Sequence, residues 1–160
     1  MLGIIKRLSV VDMVQVHIGK RGKYSNAETG RYYPLHPEKY KGSQLPVFKS
    51  GLERRMMMYL DRNSSILSWS YEPKAIRYID KTSCPLKVRR YFIDFVAQVK
   101  AGPLVKTVWL EVKPLCEATP PKNPKNINAS LLWIKNNCKW QAATQLAKSK
   151  GAEFHVITEE

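Results

Sequence analysis

The chain has 160 residues, 44% of them hydrophobic, and carries 27 Lys/Arg against 13 Asp/Glu for a formal net charge of +14. That length suits one domain with a real core, and the charge points to a polyanionic partner such as nucleic acid. No apolar run reaches the roughly 18 residues of a membrane span, and Cys84, Cys116 and Cys138 stand too far from one another and from His17, His36 and His155 for a zinc site, so free thiols in a reducing cytoplasm and structural histidines are expected.

Residues 1–19 are apolar without a clear period and read as an appended arm. Lys6 and Arg7 precede an apolar stretch, but Asp12 and Gln15 interrupt it and no small-residue cleavage site follows, which argues against a signal peptide. Residues 20–47 combine Lys20, Arg21, Lys23 and Tyr24 with Tyr32-Tyr33-Pro34 and Pro37-Glu-Lys-Tyr40-Lys-Gly42, an extended and irregular pattern. Basic residues among tyrosines suit phosphate contact and base stacking; a loop packed onto the core by its tyrosines fits equally well. The excess charge is spread rather than held in a tail, with 12 Lys/Arg and 5 Asp/Glu in residues 1–64 and 15 and 8 in residues 65–160.

A helix is expected over 50–62. Ser50-Gly-Leu-Glu53 matches a capping box, and Leu52, Met56, Met57 and Leu60 form one apolar stripe. Glu53 then has two candidate jobs: closing the cap, or supplying an acid to a site beyond the helix end. Residues 66–71 and 75–79 read as strand pieces and 80–87 as a polar turn with Pro85. Strands at 88–99 and 105–113 follow. Residues 117–127 hold three prolines and are expected to be irregular, a basic loop with Lys122 and Lys125. A helix over 129–149, with a possible break at Asn136-Asn137, shows a small-residue stripe of Ala142, Ala143, Leu146 and Ala147 suited to lying on a sheet. Gly151 ends it at C′, and 153–157 is a final strand. The order α-β-β-β-α-β implies an α/β (α+β) domain with a mixed sheet flanked by helices.

Asp94, Glu111 and Lys113 carry the chemistry. A turn at Gly102-Pro103 joins the two strands, and a loop symmetric about it sets position 94 opposite 111, with Cβ atoms about 5 Å apart. Side chains alternate, so Glu111 and Lys113 share a face. Two carboxylates that close repel unless a cation lies between them, and Mg²⁺ suits such a pair together with a substrate phosphate. An ordinary solvated charge pair is the plain alternative, because Glu-x-Lys is a common spacing and recurs at Glu72-Pro73-Lys74. That second copy contains a proline unsuited to a central strand.

With these residues in place the chain resembles the PD-(D/E)xK nuclease superfamily and, within it, the head completion nucleases of T4-type tailed phages. The resemblance rests on Gly22-Lys-Tyr24, Pro37-x-x-Tyr40-x-Gly42, Lys49-Ser50-x-x-Glu53, Asp61-Arg-Asn63, Trp69-x-x-Glu72, Arg90-Tyr-Phe-x-Asp94-Phe95, Glu111-Val-Lys113-Pro114, Thr119-Pro-Pro121, Lys139-Trp140-x-Ala-Ala143, Gly151-x-Glu-Phe154 and Thr158-Glu159. It spans about residues 20–160, and the transposon-end endonucleases of Tn7-like elements have a similar core. The family's usual proline before the strand aspartate is Ile93 here.

The resemblance implies a restriction-endonuclease-like core with a four-stranded mixed sheet and a Mg²⁺-dependent endonuclease acting on double-stranded DNA, Mn²⁺ substituting. Asp94, Glu111 and the Val112 carbonyl would ligate the metal, Glu53 would assist directly or through water, and Lys113 would orient the attacking water or stabilise phosphorane charge. Glu72 ranks below these four side chains, and Trp140 is expected in the core rather than as a stacking platform. Lys20, Arg21, Lys23, Lys122, Lys125 and Lys139 would hold DNA by its phosphates, with weak sequence specificity. The implied setting is trimming of packaged phage DNA during head completion, in the host cytoplasm or at the virion head or neck, with portal or neck proteins as partners and no membrane. The alternatives are a non-catalytic DNA-binding neck or head protein, and a transposon-end or repair endonuclease.

Overall fold

The computed structural model describes residues 29–159; the arm 1–19 and the candidate DNA contacts Lys20, Arg21 and Lys23 lie outside them. Among the described residues, eight strands and three helices follow in the order β1 (Gly30–Arg31), β2 (Val47–Phe48), α1 (Gly51–Arg62), β3 (Ile66–Tyr71), β4 (Ala75–Asp80), β5 (Lys87–Phe92), β6 (Phe95–Ala101), β7 (Leu104–Val112), α2 (Leu115–Ala118), α3 (Ile127–Ser149) and β8 (Glu153–Ile157). The central sheet has the order β3-β6-β7-β8, antiparallel except for the β7–β8 pair. This is the expected mixed four-stranded sheet flanked by helices. Among the described residues no helix is long and apolar enough to cross a membrane.

The β6–β7 hairpin turns where its sequence says it should. Gly102 has φ 61°, which glycine adopts without steric cost in a two-residue hairpin loop. The register runs from Ala101↔Leu104 to Phe95↔Leu110, so one further step sets Asp94 opposite Glu111. β8 returns parallel to β7 after the α3 crossover, which Gly151 ends at φ 68°.

Each face of the sheet is covered. On one, the α1 stripe of Leu52, Met56, Met57 and Leu60 packs on Phe95, Ala97, Val99, Val108, Leu110 and Val112. On the other, Ala143 and Ala147 of α3 pack with Trp109, Ile76, Tyr78, Tyr91 and Ile93. Alanines let the helix axis approach closely, as the small-residue stripe implied. Tyr32 and Tyr40 are packed against Trp69, with ring centroids 6.1 and 4.6 Å away. The tyrosines at these two positions therefore fasten the 29–48 segment to the core.

Three expectations are corrected. The strand expected over 88–99 is two strands in different sheets. β5 pairs only with β4, β6 joins the central sheet, and Ile93-Asp94 lie between them. Tyr71↔Phe95 on one side and Ala75↔Phe92 on the other leave residues 72–74 facing residues 93–94. The extra residue bulges a long two-stranded ribbon, and the β4–β5 end bends away from the sheet. The segment 117–127 is not wholly irregular, since α2 takes in Glu117 and Ala118. Nor is the last helix broken at Asn136-Asn137: it runs unbroken from an Asn126 cap, whose side chain accepts the Ala129 N–H. Asn136 is buried, its amide donating to the Glu117 carbonyl, and Asn137 donates to the Trp133 carbonyl one turn back, sharing a helical acceptor that has a second lone pair without interrupting the helix.

Candidate active site

The site forms at the bulge. Glu111 follows Trp109 on the α3 face of β7 and is 2% exposed. Asp94, 8% exposed, accepts the Val112 N–H on Oδ2 at 2.8 Å, so its carboxylate is anchored to β7 while its backbone carbonyl accepts the Glu72 N–H at 2.8 Å. Lys113 Nζ lies 3.3 Å from Glu111 Oε1. The other oxygen, Glu111 Oε2, is buried without a hydrogen-bond partner. Buried polar atoms are nearly always satisfied, so this carboxylate oxygen is unusual.

The electrostatics follow from the burial. Burial raises the Asp94 carboxyl above its ordinary value and the charge of Glu111 raises it further. Glu111 is likewise raised by burial, against the opposing pull of Lys113. Burial alone would lower the Lys113 ammonium, but the charges of Asp94 and Glu111 outweigh it and hold the group cationic.

Glu53 caps α1 and also bonds a residue at the edge of the bulge. Ser50 Oγ accepts the Glu53 N–H at 3.1 Å, the expected cap. The reciprocal half of the box is displaced by one residue: Glu53 Oε2 accepts the N–H of Lys49 at 2.8 Å rather than that of Ser50. The same oxygen accepts the hydroxyl of Tyr71, the residue before the bulge, at 2.9 Å, and the Glu53 charge is felt at Asp94. Among the described residues, however, no three His, Cys, Asp or Glu side chains gather closely enough to hold a metal ion.

Sequence patterns undervalued the neighbours. Lys49 Nζ bonds Glu72 Oε1 at 2.6 Å, and the hydroxyl of Tyr71 feels Glu53, Glu72 and Asp94 together. Glu72 sits at φ 44°, a left-handed conformation that costs a non-glycine residue roughly 1–3 kcal/mol and clusters at functional sites. The proline after Glu72 was visible; that it marks a bulge was not. A groove of about 560 Å³ lined by Tyr40, Lys41, Lys49, Tyr71 and Glu72 opens at this end. From α3, Lys139 reaches the same acids: burial and the Lys113 charge pull its ammonium down, while Glu111 pulls it up. Lys122 and Lys125 are exposed in the loop before α3. Trp140 is half-buried against Trp133, centroids 6.1 Å apart.

Two comparisons bear on this geometry. Residues 63–159 match the family model described as TnsA-like endonuclease N terminal. The chain is 30% identical over 144 residues, 84% of its own length and 93% of the relative's, to the head completion nuclease of Enterobacteria phage T4.

Proposed function

The chain belongs to the TnsA-like endonuclease N-terminal family, and from that premise we propose that this endonuclease hydrolyses double-stranded DNA with Mg²⁺ or Mn²⁺ at Asp94 and Glu111, trimming packaged phage DNA during head completion. The observation that carries the reading is the pair of buried carboxylates with a cation beside them and one oxygen, Glu111 Oε2, unpartnered. Hard oxygen donors of this kind suit Mg²⁺, which needs only one or two carboxylates and takes water and phosphate for the rest. Asp94, Glu111 and the Val112 carbonyl would hold the ion, with Glu53 acting through water. Bound there, the metal supplies charge neutralisation at the scissile phosphate and an acidified water.

The protein's own groups do the rest. The Val112 N–H keeps the Asp94 carboxylate in place. Lys113, held protonated by the two acids, offers a fixed positive charge to the phosphorane oxygens. Lys122, Lys125 and Lys139 contribute phosphate contacts that carry no sequence information. The assay is incubation of supercoiled plasmid with purified protein: nicking or linearisation with Mg²⁺ or Mn²⁺ and none in EDTA is expected. Inactivity with every divalent metal across salt concentrations would favour a non-catalytic DNA-binding head protein.

Glu53→Gln separates capping from chemistry. Glutamine keeps an oxygen for the Lys49 N–H and the Tyr71 hydroxyl, so the melting temperature should stay within about 2 °C, as expected when a cap acceptor is conserved. Cleavage should fall at least roughly tenfold, as for loss of a charge acting through water on a metal site. Wild-type activity in this variant would reduce Glu53 to a helix cap.

A further inference from the structure

The ribbon that bends away from the sheet carries a concentrated charge. Residues 74–92 hold Lys74, Arg77, Lys81, Lys87, Arg89 and Arg90 against a single acid, Asp80. That acid is consumed inside the fold. It is buried, accepts from the Thr82 hydroxyl, pairs with Arg89 at 2.6 Å and faces Lys135 of α3 at 3.8 Å. The inward face of the ribbon, with Ile76, Tyr78 and Tyr91, packs against α3.

The outward face is different. Its cross-strand pairs are Ile79↔Val88, Arg77↔Arg90 and Ala75↔Phe92, every one of them exposed. Arg77 and Arg90 are directly opposed, an arrangement that destabilises a bare sheet. Neither makes an ion pair among the described residues. Two opposed guanidiniums with apolar pairs on either side are stable in the presence of an anion that both can share. Each strand spans about 20 Å, roughly six base-pair steps of duplex. Phe92, at the end of this face, stands two residues before Asp94 in the chain.

We propose that the outward face of the β4–β5 ribbon docks the phosphate backbone of duplex DNA through Arg77 and Arg90. This rests on the nuclease reading for its purpose, but binding can be tested without cleavage. The full chain is titrated with a fluorescent duplex in EDTA across a range of NaCl concentrations, as wild type, as Arg77→Gln/Arg90→Gln and as Arg77→Lys/Arg90→Lys. The glutamine protein should bind about tenfold or more weakly near 0.15 M salt. Its slope of log affinity against log salt should be shallower by about 1.8, for two phosphate contacts at roughly 0.9 each. The lysine protein should keep the wild-type slope, and neither variant should melt lower than wild type, because a repulsive pair has been relieved or preserved. Affinity within twofold of wild type with an unchanged slope would overturn the proposal and leave the face to an acidic protein surface. Cleavage is scored separately with Mg²⁺. A wild-type protein that binds through the ribbon and never cuts refutes the nuclease reading and leaves the ribbon proposal standing.

Discussion

Asp94→Asn is expected to lower DNA cleavage by about 10³-fold, the scale of losing one charge-stabilising group from a preorganised site, while making the metal-free protein more stable. Asparagine keeps an oxygen for the Val112 N–H and removes one of two buried carboxylates. The sign follows from the raised carboxyl. A group whose folded value lies above its unfolded value of about 3.9 costs stability as pH rises through that unfolded value, and the cost is complete above the folded one. Burial and the Glu111 charge place Asp94 in that class. At neutral pH in EDTA the variant should therefore melt about 2–4 °C higher, equivalent to roughly 1 kcal/mol for a chain of this size. The two proteins should converge toward pH 3. Added Mg²⁺ should raise the melting temperature of the wild type by mass action and leave the variant unmoved. Scanning calorimetry with and without Mg²⁺ reads each of these outcomes. Retained cleavage, or a lower melting temperature in EDTA, would reduce Asp94 to a structural acceptor for one amide.

Asp61→Ala should be the most destabilising single change, by about 3–5 kcal/mol, because it removes three hydrogen bonds to a buried carboxylate at once and leaves the buried Tyr32 hydroxyl without its acceptor. Asp61 is fully buried near the end of α1. It accepts the Tyr32 hydroxyl at 2.7 Å, the Leu35 N–H at 2.7 Å and the His36 N–H at 3.0 Å, while Lys39 Nζ bonds its carbonyl and that of Asn63. These contacts clamp the 29–48 segment to the helix and so support Lys49 and the groove beside the site. Burial pushes the Asp61 carboxyl up, but the hydrogen bonds from Tyr32, Leu35 and His36 outweigh it and leave the group below its ordinary value. Its contribution is then present above about pH 3.9 and lost as pH falls through the lower folded value. The gap between wild type and variant in urea unfolding should be widest at neutral pH and close in acid. A difference under about 1 kcal/mol at pH 7 would mean that Tyr32 packing alone holds the segment.

The elements that local chemistry controls were legible in the residues. Gly102-Pro103 set the β6–β7 turn, side-chain alternation set the faces, and together they placed Asp94 against Glu111 and Lys113 beside it. The Ser50 cap, the α1 stripe and the alanine face of α3 are equally local, because a period of 3.6 or 2 in the chain is the geometry of the element itself. What depended on distant residues could not be seen that way. Residues 88–99 alternate well enough to suggest one strand, and only the pairing of 75–80 with 87–92 and of 66–71 with 95–101 shows that three residues face two at 72–74 and 93–94. A bulge is a mismatch between two strands, so Pro73 in one of them could hint at it but not locate it. The same mismatch accompanies a positive φ at Glu72, leaves Arg77 and Arg90 on the outward face of a ribbon separate from the central sheet, and lies beside the corner where Tyr71 bonds Glu53. The sequence determined which side chains can do the chemistry. The tertiary structure decided which of them meet, because their meeting depends on register between segments far apart in the chain.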